Sequence, residues 1–219
     1  LGELSDTLVS VWKETKTKKT VSAQYMTQLS KRLDEVYSIH PEFRRMKARI
    51  CGHTVPSFDT LLNRAKSFES RVHAPFSVYI HVDFNVDNII YDPVEKKINI
   101  IDLHRSRYMY YVQDVSVFMV SMYRLQVLDA PIRKRILDMA LEFYDFSAAY
   151  AKRSKDDTFE IRLALGLARS FATSTRFILD KSLARTMFLR ARYLIERVLE
   201  SNPKQAKSFK VPVKEIFVG

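Results

Sequence analysis

Hydrophobic positions along this chain follow two rhythms. From 1 to about 12, Leu1, Leu4, Leu8, Val11 and Trp12 recur at the spacing that lines one face of a helix. The basic, threonine-rich KETKTKKT ends that helix in a loop. The same rhythm predicts helices over about 22–37, 42–50 and 57–71, with Ser57 behind Pro56 placed to cap the last. It resumes over about 112–128, 131–152, 157–179 and 182–200, where Asp129-Ala130-Pro131 breaks the first of these from the second.

The second rhythm is confined to the middle. SVYIHV (77–82), NIIYD (88–92) and KINIID (97–102) are short and rich in β-branched and aromatic residues, and DPVEKK between the last two is a hairpin turn. After Asp102 no further strand is predicted. The end, SNPKQAKSFKVPVKEIFVG, carries two prolines and predicts an extended tail over 201–219. The expected fold is mainly α with a small β-hairpin insert, an α+β class, in which one helical domain over 1–200 carries a strand-loop-hairpin at 77–102.

The polar residues of interest gather at the ends of those strands. In HVDFNVDNIIYD, Asp83 follows the first strand and Asn88 opens the second, while Asp102 closes the third. A hairpin's strands run out and back, so Asn88 and Asp102 return close together at its open end. They are hard oxygen donors suited to Mg²⁺, which takes one or two protein groups and leaves its other positions to water and phosphates. Asp83, free of the metal, can accept a proton from a hydroxyl. Phosphoryl transfer asks for that division of labour.

The order H-x-D-x₄-N with a later Asp after a hairpin resembles the catalytic and metal-binding loops of the protein-kinase-like superfamily. HVDFNVDNIIYD followed by INIIDLHRSRY is most similar to the aminoglycoside phosphotransferase and choline kinase group, whose loop reads H-G-D-x₄-N-I/L. The resemblance makes Asp83 the catalytic base, His81 the brace of its loop, Asn88 and Asp102 the magnesium ligands, and Asp114 of QDVSVF the acidic anchor beneath the loop. It implies Mg²⁺ and ATP or another nucleoside triphosphate as cofactors. LGELSDTL is similar to the helix that follows the hinge of such enzymes, which implies a C-terminal lobe whose N-terminal lobe lies upstream.

Three departures refine the picture. Val82 stands where the group has glycine, and a β-branched residue there is expected to keep the loop out of positive φ. After Asp102 the chain reads Leu103-His104-Arg105-Ser106-Arg107, a basic run where the group has acidic residues. His104, Arg105 and Arg107, with Asn85 beside Asp83, are candidate contacts to acceptor or phosphate, and they disfavour a polycationic aminoglycoside over a neutral or anionic acceptor. Finally, the four glycines, Gly2, Gly52, Gly166 and Gly219, lie too far apart to build a glycine-rich phosphate lid, so the isolated chain is expected to bind ATP weakly and turn over little.

Bulk properties limit the alternatives. The chain has 219 residues, a formal charge of +11 and a pI near 9.7, which favour anionic partners. The basic residues are spread over predicted helices without interleaved aromatics, so a nucleic-acid groove is not expected. No apolar run is long enough for a membrane span. One cysteine, Cys51, excludes an internal disulfide and makes a reducing, cytoplasmic setting the simplest expectation. Cys51 reads as a small buried hydrophobe, and His40 and His53 as ordinary core or surface histidines rather than metal ligands. The aromatics of RYMYYVQ (107–113) read as packing, and Asn85, Asp87 and Asp92 as loop formers.

Two functions compete. One is a small-molecule kinase working through Asp83, Asn88 and Asp102; the other is a catalytically silent kinase-like module that binds a partner or polyanion through a basic helical face. The complete triad favours the first. A protein kinase is disfavoured because no A-P-E-like segment follows Asp102.

Overall fold

The computed structural model of the chain describes residues 1–20, 22–44, 48–50 and 53–218, with 48–50, 53–54 and 203–205 described by backbone alone. In chain order its elements are α1 (Gly2–Glu14), α2 (Tyr25–Ser30), α3 (Leu33–Ile39), β1 (Ala48–Ile50), β2 (His53–Val55), α4 (Phe58–Glu69), β3 (Val78–Ile80), β4 (Ile89–Asp92), β5 (Lys97–Ile100), β6 (Arg107–Met109), α5 (Val112–Tyr123), α6 (Ala130–Arg153), α7 (Phe159–Ser174), α8 (Lys181–Glu200) and α9 (Val213–Ile216), joined in places by short 3₁₀ turns. The strands pair two by two and antiparallel: β1 with β2, β3 with β6, β4 with β5. The mainly helical α+β expectation holds.

The residues gather into two compact units, each drawn from separate stretches of chain. The first comprises 1–23, 73–163 and 210–219. Its core is aromatic: Trp12 of α1 lies 5.0 Å from the ring of Tyr111 and 4.9 Å from that of Tyr150, while Phe118 of α5 meets Phe143 of α6 edge-on at 4.7 Å. Helix α5 is buried on every side, as its run VSVFMV demands. Helix α6 starts where Asp129 accepts the amide of Ile132 at 2.9 Å, with Pro131 in its first turn.

Two buried carboxylates tie the start of α7 into this unit. Asp156 is held by the Tyr111 hydroxyl at 2.8 Å and by the guanidinium of Arg162. Glu160 accepts from the Tyr144 hydroxyl, from Lys210 Nζ at 2.9 Å and from the Val211 amide at 3.1 Å.

The second unit comprises 24–72 and 164–209. At its centre Phe188 stacks on Phe43, with ring centroids 4.3 Å apart, and meets Phe58 at a tilt, 4.5 Å away. Caps fall where local chemistry puts them: Ser57 accepts the Thr60 amide at the start of α4, and Asp180 that of Leu183 at the start of α8. The N-terminus of α2 has no side-chain cap from its own N-cap residue. Glu69 at the end of α4 accepts the Tyr25 and Met26 amides instead, at 2.6 and 3.0 Å. His40 is buried, its Nε2 2.9 Å from the Thr175 carbonyl, in keeping with a core histidine. Cys51 lies outside the described residues, as does the side chain of His53.

Several sequence expectations are corrected. The helix predicted over 22–37 is two helices, because the Arg32 amide bonds the Leu29 carbonyl, three residues back, at 3.0 Å and tightens the turn between them. The stretch predicted as helix over 42–50 holds a 3₁₀ turn at Pro41–Phe43 and strand β1, while 45–47 lie outside the described residues. A strand does follow Asp102: β6 pairs with β3, placing Tyr108 opposite Tyr79. The segment after 201 is not extended, since it forms a 3₁₀ helix at Pro203–Ser208 and then α9, with Val211, Val213, Ile216 and Phe217 buried.

Candidate active site

The site lies wholly in the first unit, on the loop between β3 and β4 and the segment after β5. The loop leaves β3 through His81 and at once turns sharply, because Val82 has φ 75°. That conformation is rare for a β-branched residue. The expectation that Val82 would keep the loop out of positive φ is therefore wrong, and the structure shows what holds the turn. Asp114, in the first turn of α5, accepts the amide of His81 on Oδ2 at 2.7 Å and that of Val82 on Oδ1 at 2.8 Å. Its carboxylate is buried, and its place in the first turn of α5 sets it in the favourable end of the helix dipole.

Beyond the turn, Asp83 is bonded at both ends. Its main-chain carbonyl accepts from Asn88 Nδ2 at 2.9 Å and from the Asn85 amide at 2.8 Å. Its Oδ1 accepts from Asn85 Nδ2 at 2.6 Å, and its Oδ2 lies 3.3 Å from Arg105 Nη1. Val86 donates its amide to Ser121 Oγ at 3.1 Å, pinning the far side of the loop to α5.

The β4–β5 hairpin brings the last group in. Ile89 pairs with Ile100, and the Ile101 amide donates to the Asn88 carbonyl at 3.1 Å, so the residue before Asp102 is bonded to Asn88. Asp102 takes a left-handed conformation, φ 61°, which a short carboxylate side chain tolerates. His81 Nε2 lies 2.7 Å from the Ile101 carbonyl, joining the loop to the hairpin a second time.

The basic run after Asp102 continues the network. His104 Nδ1 lies 2.5 Å from Asp102 Oδ1, and Arg105 Nε donates to His104 Nε2 at 3.2 Å. Read as one chain, Asp102–His104–Arg105–Asp83 links the two carboxylates through charged and polar bonds. Arg107 is directed elsewhere: it sits on β6 and its Nε donates to Met109 Sδ at 3.1 Å. Asp87 pairs with Arg124 on the outside of the loop, and Asp92 caps the hairpin turn by accepting the Val94 and Glu95 amides.

The donor set suits a small hard cation. Asn88 uses its Nδ2 on Asp83 and so turns an amide oxygen outward from that bond, and Asp102 keeps one carboxylate oxygen beyond its bond to His104. Among the described residues no group of three or more His, Cys, Asp or Glu side chains forms a metal cage. Mg²⁺, with its one or two protein ligands, needs none.

Sequence reasoning missed Ser121 and Gln113. Ser121 stands seven residues, two helical turns, after Asp114 and on the same face, a spacing that could have flagged it. Gln113 Nε2 reaches the Val82 carbonyl at 3.4 Å, and nothing in its local sequence signals that contact.

Two comparisons with known proteins bear on these residues. The model of the ecdysteroid kinase-like family matches residues 3–145, which span α1, the loop, the hairpin and α5. No curated protein matches the chain.

Proposed function

The chain belongs to the ecdysteroid kinase-like family, small-molecule kinases of the protein-kinase-like superfamily, and from that premise we propose that it carries the catalytic lobe of a kinase that moves the γ-phosphate of ATP, or another nucleoside triphosphate, to a hydroxyl of a small neutral or anionic acceptor. The aminoglycoside phosphotransferase and choline kinase group is a related branch of the superfamily rather than the family that matches. The observation that carries the reading is the convergence of Asp83, Asn88 and Asp102 through direct hydrogen bonds between their two segments.

In this mechanism Asp83 accepts the acceptor's hydroxyl proton as its oxygen forms a bond to the γ-phosphorus, while the bond from that phosphorus to the bridging oxygen breaks and the nucleoside diphosphate leaves. Asn85 holds Oδ1 of Asp83, which fixes the carboxylate plane. Asn88 and Asp102 would hold Mg²⁺, which neutralises charge on the phosphates. Arg105, beside Asp83, is placed to meet a phosphoryl oxygen or an anionic acceptor group; Arg107 turns away from it to Met109. Asp114 and His81 hold the loop.

A glycine-rich phosphate lid cannot be assembled from four scattered glycines, so this function needs an N-terminal lobe contributed from elsewhere, and residues 1–219 by themselves bind nucleotide weakly. Asp83→Asn in the protein with its N-lobe should cut phosphotransfer by about 10²–10⁴-fold while nucleotide still binds. Unchanged turnover in that variant, with the fold intact, would refute the role of Asp83.

One observation favours a second reading. Arg105 already lies against Asp83 Oδ2, as it would in a silent module whose base is permanently neutralised. Arg105→Glu separates the two: a kinase loses acceptor or nucleotide affinity, whereas a silent module loses only its polyanion binding.

A further inference from the structure

Asp102 stands at the head of a 3₁₀ turn, Leu103–Arg105. A carboxylate in that position ordinarily turns back to accept the first amides of the helical turn, yet Asp102 makes no such cap. Its Oδ1 is bonded instead to the ring of His104, whose Nδ1 lies 2.5 Å away. The other ring nitrogen fixes the direction of that bond. Arg105 Nε carries a hydrogen and donates it to His104 Nε2 at 3.2 Å, so Nε2 is bare and Nδ1 of the neutral ring holds the proton that it shares with Asp102. Arg105 is anchored in turn by Asp83, Nη1 to Oδ2 at 3.3 Å.

The Asp102–His104 pair is open to solvent, with the two side chains 46% and 62% exposed, and a pair of that kind contributes little to stability. Its effect is on direction. With Oδ1 held by His104, the carboxylate cannot turn freely about its own bond, and Oδ2 is the oxygen left to face a cation. Carboxylates that hold a metal are themselves held by hydrogen bonds from outside, and loss of such a partner lowers metal affinity about 10–100-fold.

Resting on the reading of Asn88 and Asp102 as ligands of a divalent cation, we propose that His104 is the positioning residue of that site. Neutral, with its proton on Nδ1, it orients the Asp102 carboxylate for the cation and touches neither the cation nor the acceptor. It thereby differs in role from its neighbour Arg105, which faces the base. The sign of its effect is diagnostic. A His104 that acted as a positive surface charge would repel the metal, so its removal would tighten binding; a positioning donor has the opposite effect.

Mn²⁺, which takes the same oxygen donors as Mg²⁺ and is paramagnetic, is the probe. Titration of the protein with Mn²⁺, followed by the spin signal of the free ion and by broadening of the Asn88 side-chain NH₂ resonances, reads affinity without nucleotide or turnover. We expect saturable binding that His104→Ala weakens about ten-fold, the lower end of the range because the site is exposed, with the urea midpoint unmoved. His104→Asn, whose side-chain amide can donate as Nδ1 does, should recover most of that loss. In the metal-free wild type, at a pH where the ring is neutral, the ¹⁵N shifts of His104 should show the proton on Nδ1. Equal or tighter Mn²⁺ binding by His104→Ala, a His104→Asn variant as weak as His104→Ala, or a proton on Nε2 would overturn the proposal and leave Asn88 and Asp102 as ligands. A wild-type protein without saturable broadening at Asn88 would instead remove the metal assignment itself, and the role of His104 with it.

Discussion

Val82 occupies a backbone conformation that its own side chain resists, and Asp114 is the reason it stays there. A single residue held in such a region costs about 1–3 kcal/mol, while glycine adopts it freely. Val82→Gly should therefore raise the urea midpoint by an amount worth about 1 kcal/mol, and a lowered midpoint would show that the valine side chain's packing outweighs the strain. Asp114→Asn is the complementary change. The amide can accept only one of the two backbone N–H groups, so the variant should lose about 1–3 kcal/mol, and the His81 and Val82 amides should exchange faster with solvent. The H-x-D-x₄-N spacing was legible because its partners lie within eight residues. The φ of Val82 was not, because its cause sits 32 residues away on another element.

Elements show the same division between local and distant causes. Helices α4, α6 and α8 begin close to where the sequence predicts because Ser57, Asp129 and Asp180 cap them locally. Helix α2 depends on Glu69, which local pattern could not reveal. Burial is the main influence on that carboxyl and holds its pKa above the ordinary 4.5, against the opposing pull of the two amides. The folded state thus keeps the proton to higher pH than the unfolded chain. Glu69 contributes most below pH 4.5, and its contribution falls as pH rises from there through the raised folded value. Denaturation across that range should show the wild-type chain losing stability relative to Glu69→Gln; a constant difference would contradict the assignment. Asp156 offers a larger effect: its side chain is fully buried against Arg162, 3% exposed. Asp156→Ala leaves a buried guanidinium without its carboxylate and should cost about 3–5 kcal/mol in a denaturant titration. Strand β6 escaped prediction because Arg107-Tyr108-Met109 is a strand only by virtue of β3.

For the whole molecule, alternating hydrophobic rhythm was enough to read a helical body with a small β insert, and the order of polar residues at the strand ends was enough to indicate its superfamily. The bonds that complete the site, from His104 to Asp102 and from Arg105 to Asp83, were foreseen only as possible ligand contacts, since adjacency in sequence does not tell which way a long side chain turns. The charge of +11 acts at this scale too. If the proposed nucleotide site is completed by an N-lobe, affinity for ATP should fall steadily as ionic strength rises, because exposed charges are screened beyond about 10 Å in 0.1 M salt; insensitivity to salt would show that only contacts buried from solvent hold the nucleotide. The segment from Lys210 to Phe217 bears on how the protein is made. Glu160 waits for Lys210 and Val211, and the first unit counts 210–219 among its residues together with 1–23. A ribosome delivers that segment last of all the unit's parts, so the unit holding the Asp83 loop finishes folding only after the second unit's residues, 24–72 and 164–209, have emerged.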